Sequence, residues 1–190
     1  MKIKAISLWQ PWASAIALGA KTIETRSWAT SYRGPLVIHA AKRINQGELI
    51  HLSSVWGWQG ALKPLIDKCP VRNNCRFLED ILPFGAIVAV CDLVDCRPTG
   101  CFTQDELSAL RQPEGEYASL SWTERMMGDF SLGRFGWILK NVRAIKPFPV
   151  KGRQGLFEVE ISEEQIILAD AEQPARTTGH HPGSVADPRD

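Results

Sequence analysis

The run Gly85–Cys96 (GAIVAVCDLVDC) is β-branched and apolar in its first half and alternates in its second, which makes it the strongest strand in the chain. A chain holding such a strand has to build a sheet around it, and the flanking segments supply partners. Lys2–Ser7 alternates and reads as a short strand, Lys21–Arg26 as a second, and Gly34–Ala40 (GPLVIHA) as a third, with Gly34-Pro35 marking the turn before it. Arg134–Phe148 reads as a long strand kinked before Pro147, and Leu156–Ser162 (LFEVEIS) alternates and closes the set. Gln10-Pro11 opens a helix that runs to about Leu18, with proline in the first turn where its missing N–H is harmless, and Gly19 stops it. Another helix is expected near Asn45–Ser53, and Thr103 with Glu106 has the spacing of a capping box. Five or six short strands separated by a few short helices do not make a βαβ ladder. The expected fold is α+β: a mostly antiparallel, partly closed β-barrel with short flanking helices. Residues 1–168 are read as one domain with an irregular Trp/Gly/Pro/Cys-rich insertion at about 44–82, and residues 169–190, nearly devoid of large apolar side chains, as a disordered tail.

Charge is informative through its distribution. The net value is only +1, but residues 21–43 hold five basic groups against one acid, and residues 134–153 hold six against none. On one face these segments would form the electrostatic footprint of a phosphate-bearing partner. On separate faces they would be solvated strand edges guarded by Lys and Arg. The first twenty residues imitate a signal peptide, but Gln10-Pro11 interrupts the apolar run and its length and polarity rule out a membrane span, so a cytoplasmic protein is expected. Five cysteines (69, 75, 91, 96, 101) cannot all pair and lack zinc-knuckle spacing, and Cys91 sits in an apolar strand as a small core residue. No metal or cofactor is expected. Glycine-rich phosphate loops, dinucleotide fingerprints, metallopeptidase helices and nucleophile elbows are absent from the sequence.

Two short segments carry candidate chemistry. In Gly19–Trp28 (GAKTIETRSW), strand alternation puts Glu24, Arg26 and Trp28 on one face, and the long stem of Lys21 can reach the same side. Glutamate can accept from the amino group of a base, arginine and lysine can meet phosphate, and tryptophan can stack. The alternative is a cross-strand ion pair of Glu24 with Arg26 or Lys21. In Trp9-Gln10-Pro11-Trp12, two indoles flank an amide beside a helix N-terminus, which suits a base platform with an edge reader, whereas Trp12 can equally pin the helix to the sheet. His39 ends an apolar strand and reads as a core or rim histidine.

The blocks Ser7–Ser14 (SLWQPWAS), Gly19-x-Lys21-x-x-Glu24-x-Arg26-Ser27-Trp28 and Tyr32-Arg33-Gly34-Pro35-Leu36 resemble the signature of the ASCH domain, of the PUA-like superfamily. Gly85–Cys96 and Phe148–Gly152 resemble the same domain, so the likeness runs in order across about residues 3–162. The resemblance implies a barrel with a cleft between the first helix and the sheet, and a role in binding RNA, other nucleic acid or a nucleotide or nucleoside. The implied binding residues are Trp9, Gln10, Lys21, Glu24, Arg26, Trp28, Arg33, Lys151, Arg153 and Gln154. Some smaller ASCH proteins are amidohydrolases that deacylate N4-acetylcytidine, and others are linked to ribonuclease activity. The amidohydrolase pattern is a Lys, a Thr three residues later and a distant Glu. Here Lys21 matches, Glu24 stands at the Thr position, and both Glu116 and Glu124 are open candidates for the distant Glu. The lost hydroxyl favours a binding module over an enzyme. As a hydrolase, the protein would use Glu24 as base on water and Lys21 at the oxyanion. A third reading is a protein-interaction adaptor using tryptophans in residues 53–60. A monomer is the default expectation.

Overall fold

The computed structural model describes residues 1–43, 56–67, 81–102 and 122–166. Among these, six strands form one mixed sheet: β1 (Lys2–Leu8), β2 (Ile23–Arg26), β3 (Gly34–Ala40), β4 (Ala86–Pro98), β5 (Phe135–Pro149) and β6 (Leu156–Glu160), in the order β2-β5-β4-β3-β1-β6. Every pairing is antiparallel except β1 with β3. The helices that bear on the site are α1 (Trp12–Ala17), α2 (Trp56–Ile66) and α3 (Trp122–Met126). The architecture is the mostly antiparallel α+β one expected, with one correction. β2 and β6 are the two edges and do not pair with each other, so the sheet does not close into a barrel. Curvature comes from β4 and β5, whose pairing shifts register at Ile87/Ala89, Val90/Asp92 and Leu93/Asp95.

Strand periodicity divides the core between the two faces of the sheet. Ile6, Leu8, Leu36 and Ile38 point to one side, where Ala13 and Ile16 of α1 join them with Trp137. Ile3, Ala5, Val37, Phe157 and Val159 fill the other. The opening residues of β4 are buried throughout, as a continuous apolar run in a central strand should be. α1 runs from Pro11 at its N-cap to Gly19, whose φ of +75° suits glycine at a helix end. Gln10 Oε1 accepts from Ser14 N–H at 3.1 Å, supplying the cap that proline cannot. α2 lies in the stretch read as an irregular insertion. It docks Trp58, Ala61 and Leu62 against Ala15 and Met127, and its Trp58 ring meets Trp12 edge-on at 5.6 Å. The helices expected near Asn45–Ser53 and from Thr103, and the tail from 169, lie outside the described residues. No helix among the described residues is long and apolar enough to cross a membrane.

Candidate nucleic-acid cleft

The end of β1, the edge strand β2, the turn after α3 and residues 153–155 enclose a cleft of about 830 Å³. Trp9 stands on one wall, 43% exposed, with the Arg43 guanidinium 5.9 Å from its ring centre. A cation over one face of an indole holds the ring and leaves the other face for a planar ligand. Trp28 is held more firmly: its ring meets Trp137 edge-on at 4.7 Å, and its carbonyl accepts from the Trp137 indole N–H. Arg134 enters from the turn before β5, where Thr99 Oγ1 donates to the Ser131 carbonyl at 2.6 Å and Asp129 lies 3.2 Å from Arg134 Nε. Arg153 and Gln154 complete the rim.

The floor is a buried cluster of charges. Glu24 Oε1 lies 3.3 Å from Arg26 Nε, and Arg26 Nη2 donates to the Ser7 carbonyl at 2.7 Å. Burial pulls the Arg26 pKa down, opposed by the Glu24 charge, and Arg134 pulls it down further. Lys21 is fully buried beneath, 3.9 Å from Glu24 Oε2 and 3.9 Å from Glu124 Oε1, and donates to the Ile23 carbonyl. Glu124, projected from α3 and also fully buried, accepts from the backbone N–H groups of Thr22 (2.7 Å) and Ile23 (2.9 Å). Burial raises the Glu124 pKa, against the pull of Lys21 and those hydrogen bonds. This carboxylate therefore fastens α3 to the start of β2.

The ASCH domain family model matches residues 6–149. The chain belongs to the ASCH domain family. Activating signal cointegrator 1 of Mus musculus is 29% identical over 157 residues, covering 82% of this chain and 22% of that protein. The Homo sapiens cointegrator is 36% identical over 92 residues, covering 48% of this chain and 14% of that protein. This ASCH chain thus spans less than a quarter of the length of the cointegrators it matches. Among solved structures, an ASCH protein from Zymomonas mobilis is 16% identical, with a TM-score of 0.39 over 89% of this chain and 94% of that one. A mutant form of the Zymomonas protein gives 15% and a TM-score of 0.44 over 87% and 95%.

Within this ASCH domain, the residues singled out from the sequence separate into two groups. Trp9, Glu24, Arg26, Trp28, Arg153 and Gln154 line the cleft together. Four others do not. Gln10 is buried, donating to the Pro83 carbonyl at 2.7 Å while it caps α1, so its amide has no free edge to offer a base. Lys21 is walled off beneath the floor and cannot meet phosphate. Arg33 faces Asp95 at 3.0 Å, away from the cleft, and Lys151 is exposed outside the lining. The sequence reading missed Met126, Asp129 and Arg134 as wall residues, although Arg134 belongs to the second acid-poor segment. Of the two candidate distant glutamates, Glu124 is the one against Lys21; Glu116 lies outside the described residues.

His39 and the cysteines have structural surroundings. Val150 O can only accept, so His39 Nε2 carries the proton it donates at 2.9 Å, and Nδ1 accepts from Ser7 Oγ at 3.0 Å. Burial lowers the His39 pKa, consistent with this neutral ring. Cys91 is a core residue donating to the Leu36 carbonyl, and burial pushes its thiol up to about 12. Among the described residues no group of three metal-ligating side chains comes together.

Proposed function

We propose that the cleft binds single-stranded nucleic acid, RNA first, stacking one base on Trp9 and leading the backbone past the arginines. The observation that carries this reading is the juxtaposition of a half-exposed indole with Arg43 against its ring and Arg153 on the rim of one cleft large enough for a nucleotide. The nucleic-acid role implied by the ASCH likeness and the two acid-poor segments point the same way. The test is the affinity of a labelled mixed-sequence RNA octamer for the wild type and Trp9→Ala, followed by fluorescence anisotropy. Stacking on an aromatic is worth about 1–3 kcal/mol per base, so the variant should bind about 5- to 150-fold more weakly. Equal affinities would remove Trp9, and with it this reading of the cleft.

The hydrolase reading is weaker. A nucleophile or oxyanion partner has to touch substrate, and Lys21 has no exposed surface, while the position three residues on is a carboxylate and not a hydroxyl. Incubation of the pure protein with N4-acetylcytidine should release no cytidine; turnover would reverse the order of the two readings.

A further inference from the structure

Glu24 is unusual among the charged groups of this molecule. Its side chain is only 11% exposed, yet among the described residues neither oxygen accepts a hydrogen bond. Lys21 and Arg26 stand at 3.9 and 3.3 Å, which neutralises its charge without filling its lone pairs. Arg26 Nε, facing it, is itself buried without a hydrogen-bond partner. Glu124, fully buried beneath it, has both oxygens occupied by backbone N–H groups. A mostly enclosed carboxylate can use its open acceptor sites only on the side that solvent or a ligand can reach. The side of Glu24 left open is the side that lines the cleft.

We propose that Glu24 is the base reader of this cleft and that it selects guanine; the inference rests on the nucleic-acid reading above. A carboxylate offers two acceptors side by side. The guanine Watson–Crick edge offers two donors side by side, N1–H and the N2 amino group. Adenine and cytosine put a ring acceptor next to their amino group, and uracil puts a carbonyl on each side of N3–H. Each would turn a lone pair toward a carboxylate oxygen. Guanine O6, next to N1–H, also needs a donor, and Arg26 beside Glu24 has Nη1 without a hydrogen bond among the described residues. An arginine side chain of a protein partner offers a similar pair of donors, but as a cation. It would enter a site where Arg26, Lys21, Arg134 and Arg153 already outnumber Glu24, Glu124 and Asp129, whereas guanine is neutral.

The experiment uses the wild-type chain and labelled uridine octamers carrying one central G, inosine, A, C or U, with affinities from anisotropy. A base pair of this bidentate kind discriminates by about 1–3 kcal/mol, so the G octamer should bind about 5- to 150-fold more tightly than the U octamer. Inosine keeps N1–H and O6 but lacks the N2 amino group, and should forfeit most of that advantage. Glu24→Gln, checked for an unchanged thermal unfolding midpoint, should compress the series. Measurable binding that is equal across the series overturns the guanine assignment and leaves the nucleic-acid reading standing. Undetectable binding to all five overturns both. Inosine binding as well as G, or displacement of RNA by an arginine-rich peptide at lower concentration than by GMP, also overturns it, the latter in favour of a guanidinium ligand.

Discussion

Lys21 shows how a residue can belong to a site without touching its ligand. Its ammonium sits between two carboxylates, with no solvent exposure, and donates a hydrogen bond to the Ile23 carbonyl. Removing one member of a buried ion pair leaves the other charge uncompensated, at a cost of about 3–5 kcal/mol. Lys21→Ala should therefore lower the denaturant midpoint strongly, and Lys21→Met combined with Glu124→Gln should recover part of the loss. The pH dependence has a definite sign. The folded-state pKa of Glu124 is raised above its ordinary 4.5, so the folded chain holds this proton more tightly than the unfolded chain does. Its contribution is present below 4.5 and is lost as pH rises through the raised value. Asp95 and Asp129, held low by hydrogen bonds from Arg97 and Ser131, act in the opposite direction, and their contribution is lost only as pH falls below 3.8. His39, lowered by burial below its ordinary 6.5, adds stability as pH rises toward that value, so Glu124 is read as a difference. The stability of the wild type relative to Glu124→Gln should fall as pH rises from 4.5, and parallel curves would place the proton elsewhere. Sequence alone places Lys21 in the cleft because a lysine stem is long. The alternation that correctly paired Glu24 with Arg26 begins only at Ile23, where β2 starts, so it had no hold on a residue two positions earlier.

At the scale of elements, the loop after β5 is anchored by one close approach. A Cβ on Gly152 would meet His39 Cε1, would lie 2.7 Å from His39 Nδ1 and 2.8 Å from Ser7 Oγ, and all three atoms belong to side chains locked by hydrogen bonds. Only glycine fits there. Gly152→Ala should cost about 1–3 kcal/mol of stability through overpacking. It should also shift Arg153 and Gln154 off the cleft rim, so RNA affinity falls and the salt dependence weakens to that of Arg153→Ala. In a His39→Ala background the same change should cost clearly less, because the clash has gone; an unchanged cost would locate the constraint elsewhere. The strands were legible because a period of two is a local signal: β3 spans Gly34–Ala40 as read, and β4 and β5 end within two residues of the reading. α2 was not legible, since Gly57, Gly60 and Pro64 punctuate it, and what holds it is tertiary contact through Trp58 and Leu62. Barrel closure was not legible either. It depends on two edge strands meeting across the whole chain, and no local pattern encodes that.

For the whole molecule the net charge is +1, yet the two acid-poor segments converge on a single cleft, Arg26 and Arg43 arriving from the first and Arg134 and Arg153 from the second. Not all of that charge is available to a ligand. Lys21 is spent on Glu24 and Glu124, Arg33 faces Asp95, and Arg26 and Arg134 stand beside Glu24 and Asp129. Subtracting these leaves Arg43, Lys151 and Arg153 at or near the rim as the groups able to neutralise phosphates, about three in all. For single-stranded nucleic acid the slope of log affinity against log salt is about −0.7 per phosphate neutralised, so three contacts give a slope of about −2. Affinity for an RNA octamer should then fall about 20-fold between 50 and 200 mM salt. Arg153→Ala should make the slope shallower by about 0.7, whereas Glu24→Gln should leave it unchanged because no phosphate contact is removed. A flat titration with intact binding would mean that the cleft takes an uncharged base or nucleoside and that the convergence of basic segments is incidental. A slope near about −4 would mean that RNA also runs along β5, which carries Lys140, Arg143 and Lys146. The slope measured on the wild type, before any variant is made, thus separates a pocket for one nucleotide from a track for a strand.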